Sequence, residues 1–317
     1  MAEFGATTTA DEVLHDIDLA GQTVFITGGA SGIGQEAARA MAARGARVVL
    51  AARDQGKLDA SAEAIRADVP GAQVETIVVD LASLASVRAC GREAAQRFPV
   101  IDLLINNAGV MACPYGETAD GFEMQFGTNH LGHFLLTRYL LPAVEAGRGK
   151  RIVNLSSLAH HYDVVHFDDP NYRVRAYDKW ASYGQSKTAN VLFTVGLQNR
   201  LASRGIDALA VHPGGIATNL GRHLSEDDVE QMMARIQSRG SGTFSFKTIP
   251  QGAATTCWAA TAPELAGRGG VYCENCHVAP VDNDDPSGSV RSYALDADSA
   301  ERLWTLSEEL VGERFDT

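Results

Sequence analysis

Tyr183 and Lys187 stand four residues apart in the run Ala181-Ser-Tyr-Gly-Gln-Ser-Lys-Thr-Ala-Asn-Val-Leu-Phe193. In an alanine-rich helical stretch this spacing puts both side chains on one face, within reach of each other. A phenol beside an ammonium is an acid–base device. Free tyrosine titrates near ~10, and a neighbouring positive charge favours the phenolate and lowers that value. A tyrosine tuned in this way exchanges a proton with an alcohol or a carbonyl near neutral pH. The spacing also arises by chance in many helices, so the elements around it must decide.

A second group of residues suits a phosphate. The β-rich run Thr23-Val-Phe-Ile-Thr27 fits a buried parallel strand. Gly28-Gly-Ala-Ser-Gly32-Ile-Gly34 follows, then a helical stretch, Gln35 to Arg44, that Gly45 stops. Strand, glycine turn and helix together form the setting of a dinucleotide fingerprint. The glycines let backbone approach a pyrophosphate, and the helix N-terminus offers free N–H groups and partial positive charge. Gly28, Ser31, Gly32, Ile33 and Gly34 are the candidates, spaced G-x-x-x-G-x-G rather than G-x-G-x-x-G. After the second strand, Arg47 to Ala52, an NAD site would carry an acid for the ribose. Here Arg53 stands there. An arginine accommodates a 2′-phosphate, and Ser31 adds a donor, which favours NADP(H) over NAD(H). The alternative is that Arg53 pairs with Asp54 and Asp54 takes the ribose.

The alternation of strand and helix continues. Val74 to Val79 reads as a strand ending at Asp80-Leu81, Ser83 to Phe98 as a helix capped by Ser83, and Ile101 to Ile105 as a strand running into Asn106-Asn-Ala-Gly109. Gly121 to Leu141 reads as a long helix carrying Asn129. Lys150 to Ser157 reads as a strand with two serines at its carboxyl end. An irregular, aromatic-rich stretch from His160 to Trp180 separates those serines from Tyr183. Ile206 to His212 is a further strand, followed by Pro213-Gly-Gly-Ile-Ala-Thr218. Gln251 to Ala262 reads as a helix, Gly269 to His277 as one short strand, and Ser299 to Gly312 as a terminal helix. Repeated βα units imply an α/β doubly wound parallel sheet, with ligands over the carboxyl ends of its strands. The expected organisation is an N-terminal arm, 1–20, and one Rossmann domain, 21–317. A charged, then glycine/serine-rich excursion around 220–248 could close over the site as a lid.

Composition narrows the function classes. The 317 residues are 45% hydrophobic and 21% charged, ordinary globular values. A net charge of −12 without a basic block argues against nucleic acid and anionic membranes as partners. No run of eighteen apolar residues predicts a membrane span. Met1 to Ala20 lacks the basic-then-apolar pattern of a secretory signal and reads as a loose arm, so a cytoplasmic protein is expected. The five cysteines, Cys90, Cys113, Cys257, Cys273 and Cys276, are then expected as free thiols. Cys273-Glu-Asn-Cys276-His277 matches a haem-attachment pattern. That chemistry requires export, and no second ligand pair supports zinc, so buried structural thiols are expected. His160, His161 and His166 lack metal-ligand spacing, and no metal is expected.

In order along the chain, Thr27-Gly-Gly-Ala-Ser-Gly32-Ile-Gly34, Asp80-Leu81, Asn106-Asn-Ala-Gly109, Asn129, Ser157, Tyr183 with Lys187, and Pro213-Gly214 resemble the motif series of the short-chain dehydrogenase/reductase family. Within it the chain is similar to retinol dehydrogenase-like members. That likeness lies in Asn154-Leu-Ser-Ser-Leu-Ala-His-His161, Ser186-Lys-Thr-Ala-Asn-Val-Leu-Phe-Thr194 and Gly270-Val-Tyr-Cys-Glu-Asn-Cys276. The resemblance implies a catalytic tetrad. Tyr183 is its general acid/base, and Lys187 lowers the tyrosine pKa and bonds the nicotinamide ribose. Ser157, rather than Ser156, orients the substrate oxygen, and Asn129 holds a water for proton relay to Lys187. It further implies that Asn107, Ala108 and Gly109 line the adenosine side and that Thr218 lies near the nicotinamide amide. Gly215 departs from the family pattern. Relatives commonly pair through the helices of Asn129 and Tyr183, so the resemblance implies a homo-oligomer. The expected activity is NADP(H)-dependent hydride transfer to or from an alcohol or carbonyl of a bulky apolar small molecule, such as a retinoid, steroid or aromatic ketone. The alternatives are a cofactor-binding sensor or scaffold without turnover and a carbon–carbon double-bond reductase.

Overall fold

The computed structural model describes residues 4–222, 224–230, 234 and 246–315. The chain runs α1 (Ala10–Val13), β1 (Thr23–Thr27), α2 (Gly32–Ala42), β2 (Arg47–Ala52), α3 (Gln55–Asp68), β3 (Gln73–Val78), α4 (Leu84–Arg97) and β4 (Leu103–Asn106). The second half continues with α5 (Met124–Phe126), α6 (Gly132–Glu145), β5 (Arg151–Leu155), α7 (Lys179–Leu201), β6 (Asp207–His212), α8 (Ile249–Thr261), β7 (Val271–Glu274), β8 (His277–Val278) and α9 (Ala297–Val311). One sheet holds all eight strands in the order β3-β2-β1-β4-β5-β6-β7-β8. Pairing is parallel up to β7 and antiparallel between β7 and β8. This is a Rossmann sheet. The direction of winding reverses between β1 and β4, and such a switch point leaves a crevice at the strands' carboxyl ends.

Alternating side chains on the strands feed two cores. Val24 and Ile26 of β1 join α1, α2, α3 and α8 on one face, and Phe25 joins α4, α6, α7 and α9 on the other. Both faces being covered, the central strands carry buried apolar residues on both faces, as parallel sheets require. Two buried charges trim the lower edge. Asp102 accepts from Thr23 N (2.8 Å), Arg148 N (2.6 Å) and Gly149 N (3.3 Å). Arg151 donates to Ala259 O (3.0 Å) and Ala262 O (2.7 Å), satisfying carbonyls that the last turn of α8 leaves without helical partners.

The architecture departs from the sequence expectation in three places. Residues 9–14 are not loose. Thr9 and Glu12 form a capping box, and Ala10, Val13 and Leu14 are buried in the core that α8 also joins. The strand expected over 269–277 is a hairpin instead. Asn275 and Cys276 adopt φ of 48° and 59°, the left-handed pair that a two-residue turn requires. The helix expected over 121–141 starts at Met124 and passes through a widened π turn, Gly127–Leu131, that contains Asn129. Of the excursion around 220–248, residues 223, 231–233 and 235–245 lie outside the described residues, which include a helical piece at 226–230. None of the described helices is long and apolar enough to cross a membrane.

The terminal helix α9 lies on α7 and α6. Trp304 meets Phe134 (5.2 Å between centroids) and Phe193 (6.0 Å), and Phe315 meets Phe134 (4.9 Å). Trp304 is 3% exposed, and an added Cβ on Gly196 of α7 would stand 3.0 Å from its ring. The terminal segment therefore covers part of the outer side of α7, which carries Tyr183 and Lys187, and of α6, which follows the turn of Asn129. Trp304→Ala should destabilise the fold by about 3–5 kcal/mol, read as a lower urea midpoint at unchanged slope.

Candidate active site

Burial dominates the Tyr183–Lys187 pair. Both lie in α7 with 3% and 4% exposure. The Lys187 ammonium donates to Leu155 O at the end of β5 (3.0 Å) and sits 5.5 Å from the centroid of the Tyr183 ring. Burial pulls its pKa down from 10.5 to about 8. Burial also pushes the Tyr183 phenol well above its usual range, while its hydrogen bond with Ser157 pulls the other way. With α7 packed against β5, desolvation of the phenol outweighs its hydrogen-bond partner. Ser156 donates to Lys187 O (2.9 Å) and so faces the helix backbone. Ser157, half-buried, is the serine that meets the phenol, and its hydroxyl also accepts from Ala159 N (3.1 Å).

Asn129 braces the site. Its side chain accepts from Val110 N (2.8 Å) and donates to Val110 O (2.9 Å) and Ser186 Oγ (2.9 Å). Both donors of the amide are thereby used, tying the segment after β4 to the turn between Tyr183 and Lys187. The π turn presents this side chain inward, and such turns recur at functional sites. Its position near Lys187 shows in Gly109, where an added Cβ would stand 3.1 Å from Asn129 Oδ1 and 3.7 Å from Lys187 Nζ. Two further members were not singled out from sequence. The His133 Nδ1–H donates to Asn129 O (2.9 Å), so Nε2 accepts from the Thr27 hydroxyl (2.8 Å). Burial holds His133 down at about 4 and therefore neutral. Thr27 in turn accepts from Asn107 N (2.9 Å) and Ala108 N (3.0 Å). The available signal was the four-residue spacing of His133 from Asn129.

Beside this group a cleft of about 450 Å³ opens at the switch point. Gly28, Ser31, Gly32, Ile33, Gly34, Arg53, Asp80, Leu81, Asn107, Ala108, Gly109 and Thr218 all line it, as do Lys57, Met124, Thr128 and Arg222, which sequence reasoning passed over. Ser31 is the N-cap of α2 but makes no side-chain cap bond, so the first N–H groups of that helix have no side-chain acceptor from it. Gly28 has φ of +70°, and an added Cβ would come within 2.8 Å of Asn107 Nδ2. That amide donates to Thr27 O (2.8 Å) and locks the glycine turn against β4. The expected alternative pairing of Arg53 with Asp54 is not formed: the Asp54 carboxylate caps α3 by accepting from Lys57 N (3.0 Å). Asp80 accepts from Ala82 N (3.0 Å). Asn129, Ser157, Tyr183, Lys187, Pro213 and Gly214 lie outside this cleft lining.

The excursion is tied at its described ends. Lys247 N donates to Gly215 O (2.9 Å), and Ile216 pairs with Lys247, which gives the departure at Gly215 a backbone role. Asp228 forms an ion pair with Lys179, one turn before Tyr183 on α7. That bond, followed by Ser225 N, holds the Asp228 carboxyl low, at about 2. The aromatic stretch is fixed by Gln125, which donates to Tyr177 Oη (3.0 Å) and Lys179 O (2.9 Å). The five cysteines are buried and free. Cys273 and Cys276 are among the thiols that burial pushes up.

The buried lysine gives a stability signature. Its folded pKa of about 8 lies below the ordinary 10.5, so the unfolded chain binds more protons between those values and stability rises with pH across that window. Lys187→Met lacks this gain. Relative to the variant, the wild-type protein should gain about 2 kcal/mol between pH 7.5 and pH 10, measured by urea unfolding of both.

The short chain dehydrogenase family profile matches residues 22–229. The chain is 41% identical to "Short-chain dehydrogenase TIC 32 B, chloroplastic" of Brassica napus, over 97% of this chain and 94% of that one. It is 42% identical to human "Retinol dehydrogenase 13", over 92% and 85%. A crystal structure of an uncharacterized protein from Mycobacterium paratuberculosis is 37% identical, covers 98% of this chain and 100% of its own, and superposes with a TM-score of 0.74. Matched over more than half its length by the family and over nearly all of it by these relatives, the chain belongs to the short-chain dehydrogenase family of oxidoreductases and is similar to the retinol dehydrogenases within it.

Proposed function

We propose that this protein transfers hydride between NADP(H) and an alcohol or carbonyl of a bulky apolar substrate. The observation that carries this reading is the meeting of Tyr183, Ser157 and Lys187 beside a cleft rimmed by Arg53. The cleft fits a dinucleotide. The N-terminus of α2 carries no side-chain cap, the close approach at Gly28 leaves room for backbone alone, and Arg53 forms no ion pair within the described residues. Gly28, Ser31, Gly32, Ile33 and Gly34 would hold the pyrophosphate, and Arg53 a 2′-phosphate. Asp80, Leu81, Asn107, Ala108 and Gly109 would line the adenosine side, and Pro213, Gly214 and Thr218 the nicotinamide side. The bound cofactor supplies the hydride.

The chain's own residues handle the proton. In reduction Tyr183 and Ser157 donate hydrogen bonds to the carbonyl oxygen, and Tyr183 passes its proton to that oxygen as charge develops there. Lys187 then serves as the nearby proton source, since a lysine at about 8 gains and loses a proton near neutral pH. In oxidation the same groups run in reverse. The aromatic stretch supports an apolar substrate, its Tyr172 and Tyr177 rings packed 5.2 Å apart. So does the likeness to proteins named retinol dehydrogenases.

Tyr183→Phe keeps the ring and removes the proton. Carbonyl reduction should fall by roughly 10²–10⁴-fold with NADPH binding unchanged in a fluorescence titration; retained turnover would remove Tyr183 from the mechanism. Arg53→Asp should shift the ratio of kcat/KM from NADPH toward NADH by at least about tenfold, and an unchanged ratio would overturn the cofactor assignment.

A further inference from the structure

Resting on the NADP(H) reading, we infer that Arg222 is a second guanidinium for the adenosine 2′-phosphate, reaching it from the opposite rim to Arg53. Arg222 closes the short 3-10 turn Asn219–Gly221 that follows Thr218. Thr218 stands over the glycine turn, its Cγ2 3.5 Å from where a Cβ on Gly32 would lie. The chain thus crosses above the N-terminus of α2 and delivers Arg222 to the lining that also holds Arg53 and Lys57. One end of the guanidinium is fixed, with Nη1 donating to Asn219 O (3.1 Å). Its Nε and Nη2 make no hydrogen bond within the described residues.

The three cations of this cleft share one property. Arg53, Lys57 and Arg222 have no carboxylate within ion-pair distance among the described residues. Two acids line the same cleft, but Asp54 is spent on the N-terminus of α3 and Asp80 on Ala82 N. Arg222 and Arg53 are both exposed at the rim of this one cleft, and, after desolvation, the Arg53 charge helps to hold the Arg222 pKa below its ordinary value, so the two like charges repel across the space they share. A dianion between them relieves that repulsion and takes charge-assisted bonds from both forks. The pyrophosphate already has the N-terminus of α2 as its partner, which leaves the 2′-phosphate as the anion these two side chains share. Discrimination for NADP(H) is then divided between the end of β2 and the segment after β6.

Three nucleotides separate the possibilities by calorimetry on the full chain: 5′-AMP, 2′,5′-ADP and ordinary 5′-ADP. Wild-type protein should prefer 2′,5′-ADP to 5′-AMP. Arg222→Gln should cut that preference roughly tenfold, leave 5′-AMP and 5′-ADP unchanged, and be largely rescued by Arg222→Lys, with Arg53→Gln as the parallel control. If Arg53→Gln loses the preference and Arg222→Gln keeps it, the role of Arg222 is overturned while the NADP(H) reading stands. If Arg222→Gln instead weakens 5′-ADP as much as 2′,5′-ADP, Arg222 serves the pyrophosphate and the inference fails. A wild-type protein without the preference would overturn both.

Discussion

The removal of the Lys187 ammonium from water is the constraint on which the site depends. A charged amine buried in helix α7 needs an acceptor, and the carboxyl end of β5 supplies it in Leu155 O. That contact forces α7 to cross the sheet where β5 ends. The same crossing brings Tyr183 to Ser157, two residues beyond Leu155. It also sets the titration of both groups, because burial favours the uncharged form of each, bringing the lysine down to about 8 and pushing the phenol up. The proposed proton-transfer pair is therefore a product of packing between one helix and one strand end.

Around this pair the protein uses neutral groups as braces. His133, kept uncharged by burial, relays hydrogen bonding from Thr27 on β1 to the Asn129 backbone. The Asn129 amide carries the chain of contacts on to Val110 and Ser186. Three elements that meet at the switch point are thus locked together without a buried ion pair. A buried charge pair there would cost desolvation free energy, whereas each of these neutral groups has its partner.

Much of this was legible in the sequence. The alternation of apolar strand and helix segments gave the doubly wound sheet, since buried parallel strands leave continuous apolar runs that few other elements share. The glycine turn, Arg53, Asp80 and the Asn107–Gly109 stretch meet in one cleft as their order suggested. What misled were cases where a local pattern admits two geometries. In Gly269 to His277 only Asn275 hints at the reversal, because Cys276 stands where such turns favour glycine. The segment before β1 looked loose because its few apolar residues, such as Ala10 and Leu14, find a core only once α8 is in place. The burial of Tyr183 was not legible because four-residue spacing gives proximity and says nothing about desolvation.

The sequence by itself determined which chemistry is available: a phenol, an ammonium, a hydroxyl and an arginine, at positions whose strand and helix context could be read from periodicity. Those properties are local, and local patterns encode them. The tertiary structure decided which groups share a space. Lys187 with Leu155, Asn129 with Ser186, Thr27 with His133, and Arg222 with Arg53 are separated by tens to more than a hundred residues along the chain. Their meeting follows from strand order and helix packing, which depend on the burial of the whole chain and on no single stretch of it.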